Sequence, residues 1–256
     1  EAIFAYIDEL SAESAEGYAQ AQADRAGELD ARRAELIGLL VRGSLGSDAH
    51  ALAELAETAR WNPPEELAVL VWPEAAGRGP AARLPQGSIF AVDGEQFVAL
   101  VPEPRDRERR RQIAGGFESI PSGLGTVAAP RDAATSFAHA RAMLAIGAAR
   151  KLPGVVIADD RRPELIAGAD PLLAAEIERD LLAPLAEETP ASDARLRATL
   201  LAWLRRDGNV TLAAEDLHIH VQTLRYRLAR LRELLGDALD DPERRYELEF
   251  ALRSRS

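Results

Sequence analysis

The sequence predicts an α+β chain: a long N-terminal helix, an α/β domain in the middle and an all-helical domain at the C-terminus. Three observations carry this. Residues 1–42 lack Pro and repeat their apolar positions at helical spacing; the middle changes to short apolar runs separated by turn residues; and 207–231 resolves into two short amphipathic helices with a break between them.

The first helix has its apolar stripe at Phe4, Ile7, Ala15, Tyr18, Ala26, Leu29, Ile37 and Leu40, with Ser11, Gln22 and Arg33 filling the gaps at the same eleven-residue interval. An eleven-residue repeat favours a nearly straight or slightly right-handed helical pair, which suits a dimerising stalk. A single amphipathic helix packed along its own domain fits the same alanine-rich stripe. The glycines and serines of 43–48 end it, so the first segment is 1–46.

The middle domain is expected over 47–188. A short helix at 49–60 is followed by Pro63-Pro64 and a continuous apolar run at 67–72, which reads as a buried strand. Strands at 88–92 and 96–101 flank Asp93-Gly94, a signal for a type I′ hairpin. An arginine-rich helix follows at 105–115. A strand is expected at 125–129, a helix at 133–149, a strand at 154–158, and a helix over 165–185 broken near Pro171 and Pro184. Residues 187–193 read as the linker.

The C-terminal domain, 189–256, opens with a helix at 195–206. Gly208 supplies the left-handed residue that ends it and Asn209 caps the next helix. Leu212, Ala213 and Leu217 form a short apolar face, the small Ala213 and Ala214 admit a close helix neighbour, and 218–220 makes a tight turn. From Val221 on, Leu224, Leu228, Leu231 and Leu235 recur at the spacing of one buried helix face. At about 100° per residue, the opposite face carries Gln222, Tyr226, Ala229 and Arg230, flanked by Thr223 and Arg225. These types suit a major groove: Gln pairs with adenine, Arg with guanine, and Thr and Tyr reach a methyl or a phosphate. In a helix-turn-helix the N-terminal residues of the second helix meet the bases. Val221, Gln222, Thr223, Arg225 and Tyr226 are therefore assigned to base or near-base contacts, and Arg227 and Arg230 to phosphates. A last helix is capped at Asp241, with Pro242 in its first turn.

Two resemblances sharpen this reading. Residues 196–251 resemble the C-terminal domain of the purine-catabolism (PucR) and sugar-diacid (CdaR) regulator families, itself similar to Fis-type modules. The matching residues are Thr199-Leu200, Trp203-Leu204, Gly208-Asn209, Ala213-Ala214, Leu217, His220, Thr223, Arg225-Tyr226-Arg227-Leu228, Gly236 and Asp241-Pro242. The sequence departs from the pattern at Val221, where many relatives carry Arg or Pro. The resemblance implies a sequence-specific transcription regulator that binds double-stranded DNA. One helix in one groove reads only a few base pairs, which predicts a homodimer; the lack of an 18-residue apolar run and of a signal peptide predicts a cytoplasmic chain; and there is room for a small-molecule effector, unidentified. Because the chain begins at Glu1 rather than Met, a piece or a processed form is expected, with room for a sensor segment upstream.

The second resemblance is to diguanylate cyclases, whose Gly-Gly-Asp-Glu-Phe signature lies on a hairpin. Asp93, Gly94, Glu95, Gln96 and Phe97 look like a degraded copy, and the PucR and CdaR relatives similarly carry a degenerate cyclase-like domain before the DNA-binding one. Cyclisation of GTP needs carboxylates that hold two divalent cations. Here the catalytic Glu position is the neutral Gln96, and the first strand leads into Trp72-Pro73-Glu74 without an Asp. No catalytic residues are expected, and no cofactor.

Composition limits the alternatives. The net charge of −11 argues against a general nucleic-acid coat, although arginines and carboxylates nearly balance over 191–256. There is no cysteine, and His50, His139, His218 and His220 lack zinc-ligand spacing, so no metal site is expected. No apolar run of about 18 residues occurs, which argues against a membrane span. Two readings compete with the DNA-binding one: a nucleotide-binding or residually catalytic cyclase-like module, and a protein-interaction adaptor whose helix-turn-helix does not meet DNA.

Overall fold

The computed structural model describes residues 25–46 and 48–255; the half of the long-helix expectation that rests on residues 1–24 lies outside them. The chain divides into two compact units, one ending at Asp160 and one beginning at Arg161.

The upstream unit is α+β. Helix α1 spans 25–41 and is followed by α2 (Ala49–Thr58), β1 (Leu67–Pro73), β2 (Ile89–Asp93), β3 (Gln96–Pro102), α3 (Arg107–Gly116), β4 (Ser122–Leu124), α4 (Ala133–Arg150) and β5 (Val155–Ile157). The strands form one mixed sheet in the order β2-β3-β1-β4-β5. All neighbours are antiparallel except the β4/β5 pair.

Strand β1 is apolar throughout because both faces of the sheet are covered. Alternation sends Leu67, Val69 and Val71 to one face, where they meet Leu36, Ile37, Leu40 and Val41 of α1 and Ala133 and Ala140 of α4. Ala68, Leu70 and Trp72 go to the other face, with Phe97, Ile113 and Phe117. The described part of α1 thus packs along its own unit through its last turns, while Ala26 near its start is exposed. Of the two readings of this helix, the packed one is what 36–41 show.

Two local expectations are corrected. The hairpin pairs Asp93 with Gln96, so its central residues are Gly94 and Glu95 rather than Asp93 and Gly94. Gly94 has φ +63° and Glu95 is absent from the positive-φ residues. Positive φ at the first central position alone belongs to the II′ family and not to I′. The strand expected at 125–129 is β4 at Ser122–Leu124, after which Gly125 N donates to Val69 O at 2.8 Å and Ala128 bridges back to Leu67. The cause is α4: a Cβ on Gly123 would overlap the Ala140 carbonyl, and one on Gly125 the Ser136 carbonyl. The Ser136 hydroxyl accepts from Val69 N at 2.9 Å and donates to Thr126 O at 2.7 Å, replacing ladder partners there.

The downstream unit is helical: α5 (Arg162–Ala169), α6 (Pro171–Leu182), a 3₁₀ segment (Ala183–Glu187), α7 (Pro190–Arg205), α8 (Val210–Asp216), α9 (Val221–Leu235) and α10 (Pro242–Arg255). Helices α5 and α6, expected with the middle domain, pack on α10. The stretch 187–193 is not a slack linker. Thr189 caps α7 by accepting from Ser192 N, and Pro190 occupies its first turn.

Candidate nucleic-acid interface

Helices α7, α8 and α9 form the helix-turn-helix around one apolar cluster that includes Leu200, Trp203, Leu204, Ala213, Ala214, Leu224, Leu228 and Leu231. Its entry is tightly specified. Asp207 and Gly208 take φ of +51° and +85°, and Gly208 N donates back to Trp203 O at 2.9 Å, closing α7. Asn209 Oδ1 then accepts from Thr211 N and Leu212 N at 3.0 and 3.1 Å, capping α8. Ala213 and Ala214 are fully buried, as their small size allows, whereas Leu212 is 41% exposed and faces away from that core.

The turn into α9 also rests on specific residues. His218 adopts φ +53°, and Ile219 N reaches back to Ala214 O at 3.0 Å. The His220 side chain accepts from Gln222 N at 3.2 Å, so His220 caps the recognition helix. An imidazole in that role replaces the Ser or Asp more usual at such a position.

Along α9, Leu224, Leu228 and Leu231 are buried and Leu235 is half-buried. Gln222, Thr223, Arg225, Tyr226, Ala229 and Arg230 are exposed; Tyr226 is 78% exposed, an unusual state for an aromatic ring. Val221 is half-buried and packs against the cluster at the start of the helix. The structure therefore brings together Gln222, Thr223, Arg225 and Tyr226 on one open surface. The two arginines assigned to phosphates sit differently. Arg227 is half-buried, with Nη1 3.4 Å from the Thr199 hydroxyl of α7. Arg230 is held by Glu188, through Nε and Nη2 at 2.9 and 2.7 Å, and by Glu233 at 2.8 Å.

Several supporting contacts are ones that periodicity does not expose. Trp203 Nε1 donates to Gly208 O at 2.8 Å, and the Arg245 guanidinium of α10 lies 4.9 Å from the Trp203 ring centre. Arg206 bonds both oxygens of Asp216 at 2.7 Å, tying the end of α7 to the end of α8. That contact holds the Asp216 carboxyl below its usual range and raises the Arg206 guanidinium. Arg230, and after it Ser192, likewise lower Glu188.

The upstream hairpin is the other place to look for chemistry. Phe97 is buried and stacks on Trp72 with ring centres 5.1 Å apart, so the last residue of the cyclase-like signature serves the core. Asp93 lies 3.6 Å from Arg42, and Asp93, Gly94, Glu95 and Gln96 border an open depression of about 420 Å³ with Pro73, Arg141 and Leu144. Among the described residues, no three His, Cys, Asp or Glu side chains gather closely enough to hold a metal ion. The run Gly115-Gly116 ends α3, with Phe117 at its C-cap. No described helix is long and apolar enough to cross a membrane.

Comparison with known proteins agrees with the helix-turn-helix geometry. Residues 196–254 match the PucR C-terminal helix-turn-helix domain and residues 1–41 the PucR-like N-terminal domain. An uncharacterized protein of Mycobacterium tuberculosis is 27% identical over 271 residues, covering 97% of this chain. The chain spans 64% of that relative's length. The purine catabolism regulatory protein of Bacillus subtilis is 39% identical over 66 residues, 26% of this chain and 12% of that protein. A solved regulator of polyketide synthase expression from Bifidobacterium adolescentis superposes with a TM-score of 0.40 at 20% identity, covering 88% of this chain and 92% of that one. A PucR-type domain is thus matched at each end of the chain, the C-terminal match spanning the helix-turn-helix.

Proposed function

We propose that the chain regulates transcription by binding double-stranded DNA sequence-specifically through α9. The observation that carries this reading is the exposed surface of Gln222, Thr223, Arg225 and Tyr226, set opposite the buried Leu224, Leu228 and Leu231 on a helix with both ends capped. The side chains offer bidentate partners for adenine and guanine at the end of the helix that enters a groove first. The name of the Bacillus relative, a purine catabolism regulatory protein, supports the same class of function.

The protein acts as a homodimer in this reading. One recognition helix contacts only a few base pairs, and the near balance of charge over 191–256 gives little sequence-independent attraction, so affinity has to come from two half-sites. The upstream unit is regulatory rather than catalytic: Gln96 replaces the carboxylate a cyclase needs, and Phe97 is committed to the core. It passes on the state of an effector to the helix-turn-helix.

Selection from a random duplex library with the purified chain tests this directly. An enriched site with two inverted half-sites about one helical turn apart is the expected result. No enrichment, together with no salt-dependent weak binding to random duplex, contradicts it and leaves the interaction-adaptor reading.

A further inference from the structure

Arg230 lies on the same stripe of α9 as Gln222 and Tyr226, at intervals of four residues, at the far end of the exposed face. An arginine there would reach the phosphate backbone flanking the bases that Gln222 and Arg225 read. Its guanidinium is already engaged. Two of its nitrogens, Nε at 2.9 Å and Nη2 at 2.7 Å, converge on a single oxygen, Glu188 Oε1. The other Glu188 oxygen is fixed by the Ser192 hydroxyl at 2.8 Å, so the carboxylate is itself anchored in the turn before α7.

The two acidic partners of Arg230 are not equivalent. The Glu188 side chain is 17% exposed and that of Glu233 is 64% exposed. Water and salt screen the Glu233 contact, a one-turn pair within α9, far more than the Glu188 contact. Glu188 is thus the stronger hold, and it comes from outside the recognition helix. The charge-assisted N–H donors that Glu188 takes from the guanidinium are the same donors a phosphate oxygen would take.

We propose that Glu188 is an internal competitor for DNA phosphate: it occupies the donor face of Arg230 that a phosphate would take, and so reduces the number of phosphates the recognition helix neutralises. This rests on the reading of α9 as a DNA-binding helix. Its consequence concerns the affinity for duplex that does not depend on sequence. Binding to unrelated sequence depends on phosphates alone and loses the Arg230 contact in full, whereas binding to the operator keeps its base contacts through Gln222 and Arg225. Glu188 therefore lowers the phosphate-driven affinity for any duplex, and the operator stays bound because its base contacts add to what is left.

The test is a salt titration of full-length protein binding to a random-sequence duplex, comparing the parent with Glu188→Gln. Gln keeps an oxygen to accept from Ser192 and removes the charge. Glu188→Gln is expected to bind about two- to fivefold tighter at low salt, with the slope of log K against log salt steeper by about 0.9 for each bound subunit, one added phosphate contact apiece and about 1.8 for a dimer. Arg230→Gln should cost little in the parent but erase the gain in the Glu188→Gln background, because the two residues act as a pair. Glu233→Gln should give a smaller gain than Glu188→Gln; an equal or larger one overturns the assignment to Glu188. If the parent binds and Glu188→Gln, folded by its thermal unfolding curve, shows the same slope, the inference fails while the DNA-binding reading stands. If the parent binds no duplex at any salt, both fail.

Discussion

Trp203 Nε1 donates a 2.8 Å hydrogen bond to the carbonyl oxygen of Gly208, so the helix preceding the motif holds the residue that opens it. The indole is buried against the helical core, and the Arg245 guanidinium covers its ring. Replacing Trp203 by Phe keeps most of the apolar contact and leaves the Gly208 carbonyl without its donor. Denaturant unfolding of the variant should show a loss of about 1–3 kcal/mol. Gly208→Ala should cost about 1–2 kcal/mol through its φ of +85°. Unchanged stability in both would mean the contact does not organise the entry to α8.

In the upstream unit the close approach of α4 to the sheet depends on Gly123. Gly123→Ala puts a methyl group onto the Ala140 carbonyl, backbone that has no easy way to move. The expected cost is about 1–3 kcal/mol, read from the midpoint of urea unfolding at constant slope. Gly94→Ala, at an open turn, strains only the backbone and is expected to cost less.

Acid should weaken the helical unit through two carboxylates. Arg206 lowers Asp216, and Arg230 followed by Ser192 lowers Glu188. A folded-state value below the unfolded one means the stabilisation is fully present above the usual carboxylate range and is lost as pH falls through the lower, folded value. Unfolding free energy should therefore be flat from neutral to about pH 5 and decline below it. Asp216→Asn should flatten that decline; a variant with the parent's full acid dependence would show that the Arg206 pair contributes nothing to it.

What could be read in the sequence is what short-range periodicity encodes. Leu224, Leu228 and Leu231 mark the buried side of α9 from spacing alone, the unbroken run at 67–72 marks a strand covered on both faces, and Gly208-Asn209 marks a helix boundary by its turn chemistry. What escaped depends on partners distant in the chain. Leu212 carries the hydrophobicity of a core residue, yet the close packing of Ala213 and Ala214 turns it outward. Strand β4 was displaced because Gly123 and Gly125, which weaken a strand reading, are required under α4. The allegiance of α5 and α6 is set by α10, which follows them by many residues. The exposed surface of Gln222, Thr223, Arg225 and Tyr226 was legible, whereas the pairing of Arg230 with Glu188, 42 residues away, was not.

The most direct test of the account is to measure binding to the selected operator by the parent and by Gln222→Ala and Arg225→Ala. Each substitution should weaken operator binding by about 1–3 kcal/mol and relax base preference at one position of each half-site, while binding to random duplex changes little for Gln222→Ala. If both variants bind the operator as the parent does, with the same base preferences, α9 is not the reading head and the account is wrong at its centre.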